Sequence, residues 1–349
     1  MKAATVIHLV PYDGIGGVEV AARSLEDGLY DGIKFSKYYL VNKNDKVLPA
    51  RDGAKTFRSE NDPRAYIEAI RSLLAAKPEL LIGSLWRSCI VSIIYKLLRR
   101  QSRIVTFLHF TSDVHWPDKV LNRVAMWLST EIWADSQTTL DARVPSALRG
   151  RGRVISFLVE RQPEPKYREP LPRFVFWGRL HPQKHLARAL RLFSSLRTQI
   201  PGATYHVIGP DGGDRNQMEQ EVRRLGLEGS VFFLGPMDRA SIFDFAGNCC
   251  FYLQTSVEEG MAVSVIEAMQ LGLVPVVTPV GEIGRYCQDS VNAILISDDS
   301  DAVEKVMSVI KQAALYQSMA RAAVSSWHKR PLYRNDVLGA CAHLINEQK

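Results

Sequence analysis

CCFYLQTSVEEGMAVSVIEAMQLGLVPVVT, residues 249–278, is the stretch on which the fold turns. An apolar run of strand length (CCFYLQ) meets a polar loop (TSVEEG). Helical spacing follows at Val263, Ile266, Ala268 or Met269, and Leu271. Gly272 is placed to end that helix, and a second apolar run begins at 274. Strand, helix and strand in this order make a βαβ unit. Runs without polar alternation suit parallel strands buried on both faces.

The alternation extends outward from there. In the second half, residues 174–177, 204–208, 231–234 and 294–296 read as further strands. Leu186, Ala189, Leu190 and Phe193 mark one helix, and residues 218–225 another. In the first half, strands are expected at 5–10, 80–83, 104–108, 132–134 and 154–157. Helical faces there are Val18, Ala21, Ala22 and Leu25, then Ile90, Ile93, Ile94, Leu97 and Leu98, then Val120, Leu121, Val124 and Leu128. Between the halves, Pro163, Pro165, Pro170 and Pro172 mark a linker, because proline fixes φ and withholds a donor. The expectation is an α/β chain of two Rossmann-like parallel-sheet domains facing across a cleft, with ligands at the carboxyl ends of the strands. Its parts are residues 1–160, a linker at 161–172, a second domain at 173–325, and a segment 326–349 returning to the first domain.

Composition agrees with a globular chain of more than one core: 349 residues, 46% hydrophobic and 23% charged. The net charge of +7 is uneven: residues 1–160 carry 23 Lys and Arg against 17 Asp and Glu, and the rest 21 against 20. The first half is therefore the side expected to face an anionic surface or acceptor. So small a charge, with no nucleic-acid-binding motif, speaks against nucleic acid. Cys89, Cys249, Cys250, Cys287 and Cys341 are odd in number and form no C-x-x-C, which suits reduced thiols and a reducing compartment. Met1 and Lys2 lead straight into a strand and not into a signal peptide. Arg87 and Lys96 interrupt residues 80–98, so a cytoplasmic location is expected, with peripheral membrane contact left open. Residues 89–101 set an apolar face beside Lys96, Arg99 and Arg100, as an interfacial helix would, although helices covering a sheet look the same.

Four groups of residues could carry chemistry. Glu259 and Glu267 stand seven residues apart around a helix entrance, where Gly260 leaves backbone N–H groups open to an anion. Ser256-x-x-Glu259 is also a capping-box pattern, so helix capping is the competing reading. Arg179 and Lys184, on the loop Gly178-Arg179-Leu180-His181-Pro182-Gln183-Lys184, could hold a diphosphate or could be a solvated basic loop. Gly14-Ile15-Gly16-Gly17-Val18-Glu19 follows the first strand, but it is neither the dinucleotide fingerprint nor a P-loop. His109, with Asp135 and Ser136, ends strands at the same kind of rim, where Asp135 could simply cap a helix. Asp299-Ser300-Asp301 opens a helix and reads as an N-cap, not as a metal-binding D-x-D.

In order and spacing these pieces resemble the retaining GT-B glycosyltransferases of family four, with their E-x7-E motif. Ser256-Val-Glu-Glu259-Gly260-Met261-Ala262, Glu267-Ala268-Met269 and Gly272 follow the motif, and Gly178-Arg179-Leu180 with Lys184 follows the phosphate loop. Ile208-Gly209-Pro210, Val231-Phe-Phe-Leu-Gly235 and Gly16-Gly17-Val18-Glu19 extend the likeness. The resemblance implies transfer of a hexose-type sugar from a nucleoside-diphosphate sugar to a glycan or lipid-linked acceptor, as in bacterial polysaccharide or lipopolysaccharide assembly. It implies no metal and no cofactor. By that resemblance Arg179 and Lys184 neutralise the diphosphate, Glu267 takes the ribose hydroxyls, and Glu259 with Gly260, Met261, Ala262 and Val263 holds the sugar. Gly16 and Gly17 approach the diphosphate, and His109 sits by the sugar and the acceptor. Catalysis would thus rest on His109, Arg179, Lys184 and Glu259. Ala262 stands where the family has a second glycine, and His185 where glycine often follows the lysine. The rival readings are a sugar-nucleotide epimerase or hydrolase on the same fold, and a non-catalytic transferase-like binding subunit.

Overall fold

Strand β1 (Ala4–Tyr12) is the spine of the first unit, because residues 6–10 lose nearly all exposure on both faces. After it come α1 (Gly17–Ser24), β2 (Gly28–Tyr30), β3 (Ile33–Val41), α2 (Pro63–Ala76), β4 (Leu80–Ser84), α3 (Leu85–Leu98) and β5 (Arg103–Leu108). Then follow α4 (Trp116–Leu128), β6 (Glu131–Ala134), α5 (Gln137–Arg143) and β7 (Gly152–Val154). The sheet order is β2-β3-β1-β4-β5-β6-β7, parallel throughout except for the edge strand β2. This computed structural model describes residues 3–13, 17–41, 57, 59–113, 115–166 and 168–347. The chain divides into two units, Met1–Glu160 with Pro331–Lys349, and Arg161–Arg330.

The second unit runs β8 (Arg173–Trp177), α6 (Leu186–Gln199), β9 (Thr204–Ile208), α7 (Arg215–Arg224), β10 (Val231–Gly235), α8 (Arg239–Ala246) and β11 (Phe251–Gln254). It continues with α9 (Val263–Gln270), β12 (Val274–Val277), α10 (Ile283–Tyr286), β13 (Ile294–Leu295), α11 (Asp299–Lys311) and α12 (Ala313–His328). The order β10-β9-β8-β11-β12-β13 is that of a dinucleotide-binding sheet, which reverses direction between β8 and β11. Ligands of such sheets bind at that reversal, so the loops after β8 and β11 are the ones to inspect. A final helix, α13 (Tyr333–Asn346), belongs to the first unit: the Tyr333 amide donates to the Leu158 carbonyl at 2.7 Å.

The opening βαβ stretch folds as β11, α9 and β12, and α9 ends in a Schellman motif. Leu273 N–H donates to Ala268 O at 3.0 Å, Gly272 N–H to Met269 O at 3.1 Å, and Gly272 takes φ 73°. Asp298 caps α11 through Ser300 N and Asp301 N, which puts the cap one residue before the Asp299-Ser300-Asp301 run.

Several sequence expectations need correction. Strands β2 and β3 and helix α2 have no counterpart in the apolar runs, because Lys34, Ser36, Lys37 and two tyrosines interrupt β3. The strand expected at 154–157 stops at Val154. From there Ser156 turns to the C-terminal segment, its amide donating to Asp336 Oδ2 at 2.7 Å and its hydroxyl to Pro331 O at 2.6 Å. Helix α4 buries Asp118, Asn122, Ala125 and Met126, and leaves Val120 and Val124 50% and 41% exposed. Of the expected core face, Leu128 packs against the core of the first unit while Val120 and Val124 turn outward. The proline-rich stretch is docked on the second unit: Arg168 donates to Cys249 O at 2.6 Å and to Leu271 O at 2.7 Å. All five cysteines are free and buried.

Candidate active site

The loop after β8 is a short bridge between backbones. Leu180 N–H donates to Pro210 O at 2.9 Å, and Gly212 N–H returns to Leu180 O at 2.8 Å. Arg179 between them is exposed and makes no side-chain ion pair with the described residues. A single 3-10 turn, Pro182–Lys184, then delivers Lys184, and His185 enters α6 at φ 47°. That left-handed conformation is the reason glycine suits this position.

Lys184 reaches across to the loop after β11. Its ammonium donates to Glu259 Oε1 at 2.6 Å, and the same oxygen accepts from Ser256 Oγ at 2.6 Å and Gln254 Nε2 at 3.0 Å. Backbone bonds fix the two loops together: Val257 N–H donates to Gln183 O at 3.0 Å, and Gln183 Nε2 to Glu258 O at 2.8 Å. Glu259 is therefore a buried carboxylate charge-balanced by a lysine, held four residues before α9. The capping-box reading fails, since Ser256 bonds the glutamate side chain and α9 begins at Val263.

Helix α9 has no side-chain cap. Its N-cap, Ala262, sits at φ 52° and makes no side-chain bond to the first turn. The amides at that end are of the kind that bind anions. Gly260, Met261 and Val263 are half-buried, and the Met261 carbonyl is held by the Tyr286 hydroxyl at 3.1 Å. Behind them Gly281 packs so closely that an added Cβ would lie 2.0 Å from the Glu259 carbonyl oxygen.

Glu267, at the buried end of α9, is held by two donors. Trp177 Nε1 bonds Oε2 at 2.9 Å, and Arg239 Nε bonds Oε1 at 3.0 Å. Between the two glutamates stands the Tyr252 hydroxyl, which has one proton to give. The Tyr252 hydroxyl lies 3.2 Å from the Trp177 carbonyl and 2.7 Å from Gln254 Oε1, and Gln254 holds Glu259. The proton serves the nearer acceptor, so the bonded line runs from Tyr252 through Gln254 to Glu259, and the Trp177 carbonyl lies beside it. Burial pushes the Tyr252 hydroxyl well above its ordinary range, so it stays protonated.

Arg179, Lys184, Glu259, Gly260, Met261, Ala262, Val263 and Glu267 all belong to the second unit, whereas His109 belongs to the first. Arg239, Trp177, Tyr252 and Gln254 were not singled out by sequence; the position of Trp177 at a strand end was the available signal. His109 is 5% exposed and shares the Ser84 hydroxyl (2.9 Å) with His8 (2.8 Å). Burial holds both imidazoles neutral, His8 with a pKa near 3, down from 6.5. A pocket beside His109 is lined by Leu85, Trp86, Asp118, Asn122 and Arg143 among others. Asp135 is buried and accepts from Ser136 Oγ, while Ser136, not Asp135, caps α5 through Thr139 N. Gly14, Ile15 and Gly16 lie outside the described residues; Gly17 opens α1 and is exposed. No group of three metal-ligating side chains occurs among the described residues.

Residues 160–325 match the family model described as glycosyl transferases group 1. A GDP-mannose:cellobiosyl-diphosphopolyprenol alpha-mannosyltransferase of Komagataeibacter xylinus is 27% identical over 135 residues, 38% of this chain and 34% of that protein. Across the curated relatives it matches, the aligned stretch spans between 25% and 50% of their length. Among solved structures, Anabaena HepE in complex with UDP aligns at TM-score 0.75 and 16% identity, over 97% of this chain and 100% of that one. The lipopolysaccharide outer core galactosyltransferase WaaB aligns at TM-score 0.70 and 18% identity, over 97% and 99%. At these identities the likeness is one of fold, that of the GT-B glycosyltransferases.

Proposed function

We propose that the chain, whose residues 160–325 match the family model described as glycosyl transferases group 1, is a retaining glycosyltransferase. It moves a hexose-type sugar from a nucleoside-diphosphate sugar to a glycan or lipid-linked acceptor, in polysaccharide or lipopolysaccharide assembly. The observation that carries the reading is the Lys184–Glu259 pair beside the uncapped start of α9, at the reversal between β8 and β11.

In this reading each group has a defined task. Breaking the bond between sugar and diphosphate puts negative charge on the leaving group. Arg179, Lys184 and the α9 amides supply preorganised positive charge where it develops. An ammonium has three donors, and Glu259 takes one from Lys184, so the lysine is aimed while donors remain for phosphate oxygens. Glu259 and the backbone at 260–263 hold the sugar hydroxyls. Glu267, aimed by Trp177 and Arg239, accepts from the ribose with the lone pairs that remain. His109, neutral through burial, serves the sugar and the acceptor. No metal or cofactor has a task in this scheme.

The test is a panel of nucleotide sugars scored for thermal stabilisation and for nucleoside diphosphate release. One donor raises the melting temperature of the native chain, and Lys184→Ala and Glu267→Ala each abolish that rise. Unchanged donor binding in both variants sinks the proposal. Diphosphate release that no acceptor accelerates, with only free sugar formed, moves the assignment to a hydrolase.

A further inference from the structure

Helix α4 is apolar on its outer face as well as on the face that packs Ala125, Met126 and Leu128 inward. It buries Asp118 and Asn122 and sends Trp116 (78% exposed), Val120, Val124 and Trp127 (56%) outward along one stripe. Positions 116, 120, 124 and 127 fall on one helical face. The neighbouring α3 repeats the pattern at its end, with Leu97 and Leu98 about 60% exposed. Exposed apolar surface of this extent is uncommon on a soluble protein unless something covers it.

The charges around the stripe indicate what that is. Residues 80–130 contain Arg87, Lys96, Arg99, Arg100, Arg103, Lys119 and Arg123, and only two acids, Asp113 and Asp118. Both acids are turned to Arg143, Asp113 within salt-bridge distance and Asp118 at 3.9 Å. Lys119 and Arg123 are exposed on α4 itself. Tryptophan beside lysine and arginine on a helix of low overall hydrophobicity suits the headgroup layer of a bilayer. No helix among the described residues is long and apolar enough to cross a membrane, so such a helix would lie in the surface. The residues expected from sequence to do this, 89–101, contribute less, because Cys89, Val91 and Tyr95 are core.

We propose that the outer face of α4, with the end of α3, docks the protein on an anionic lipid bilayer. The tryptophans insert among the headgroups, and Lys119 and Arg123, with the exposed Arg100 just beyond α3, meet the lipid phosphates. Leu85, Trp86 and Asn122 on the same two helices wall the pocket beside His109.

The experiment is co-sedimentation of the full chain with vesicles, without any nucleotide sugar, so its outcome is separate from that of the proposed activity. Equal parts phosphatidylcholine and phosphatidylglycerol bind the native chain; pure phosphatidylcholine binds far less, and added salt weakens the first. Lys119→Gln with Arg123→Gln lowers the partition coefficient roughly thirtyfold, at one screened charge contact each. Trp116→Ser with Trp127→Ser lowers it on the order of a hundredfold. All four positions are exposed, and circular dichroism confirms that the variants fold. Equal binding to both vesicle types, no binding to either, or variants that bind like the native chain would each overturn the proposal. So would a dimer in sedimentation that the tryptophan variant dissociates, because the stripe would then be covered by a second copy.

Discussion

Ala262 occupies a left-handed conformation at φ 52° directly before α9, where a Cβ costs on the order of 1 kcal/mol. Ala262→Gly is therefore expected to raise stability by about 1 kcal/mol, seen as a higher denaturant midpoint at unchanged slope. A midpoint that falls would mean that the methyl packs better than the backbone strains. The sequence showed that glycine was replaced here, but only the torsion shows why glycine is favoured. Lys184 and Glu259 are a different case, since each was legible as a charge on its own strand-end loop and the bond between them was not. Removing one charged donor at a developing leaving-group charge costs about 100- to 1000-fold in turnover, so Lys184→Met is expected to lose that much kcat. Lys184→Arg should recover part of it, measured by diphosphate release.

His8 gives a pH dependence whose direction follows from its burial. Its folded pKa lies near 3 and its ordinary value is 6.5, chiefly through desolvation and then through the charge on Lys37. Between those values the unfolded chain binds a proton that the folded one refuses. Stability is full above 6.5 and falls as pH drops toward 3. One pH unit below 6.5, His8 alone costs about 1.4 kcal/mol. Denaturant unfolding along a pH series checks this, and His8→Gln should flatten the acid side by that amount. His109 shifts in the same direction and adds to the wild-type slope.

Among the elements, legibility followed the type of burial. Parallel strands such as β8 and β11 are apolar throughout and stand out in the sequence. β3 alternates apolar, charged and aromatic residues beside an antiparallel edge strand, so no apolar run marks it. α4 misled in another way: its apolar spacing is that of a core helix, and periodicity does not say which face turns inward. The partners of Glu267 were hidden by distance along the chain, Arg239 lying 28 residues away and Trp177 lying 90. Only the packing of α8 and β8 around α9 brings them together. Arg239→Ala is expected to leave Glu267 buried with one donor fewer and to weaken donor affinity by more than an exposed arginine would, through loss of orientation. Isothermal titration with nucleoside diphosphate measures it, and an unchanged affinity would separate Arg239 from the site.

For the chain as a whole, the unequal continuity of the two units has a measurable result. Residues 161–330 form an uninterrupted unit, whereas the first unit is completed by residues 331–349. Tyr333, 1% exposed, stacks in the cluster of Phe107 and Phe157, with ring centroids 6.4 and 5.5 Å away. Residues 161–330 expressed alone should melt cooperatively. Residues 1–160 alone should not, until the C-terminal helix is supplied in the same chain or as a peptide. Scanning calorimetry distinguishes these outcomes, and a cooperative transition in 1–160 alone would show that α13 is dispensable.

The bonds that hold the two glutamates, Trp177 to Glu267 and Tyr252 through Gln254 to Glu259, also bear on how such a protein can change over time. Each member is satisfied by its neighbour, so a substitution at one leaves a buried polar group stranded at the next. Double substitutions within either set will then cost less than the sum of the singles. In descendants of this sequence each set should drift together as a block, and a lone replacement within a block should mark a lineage in which the demand on the site has relaxed.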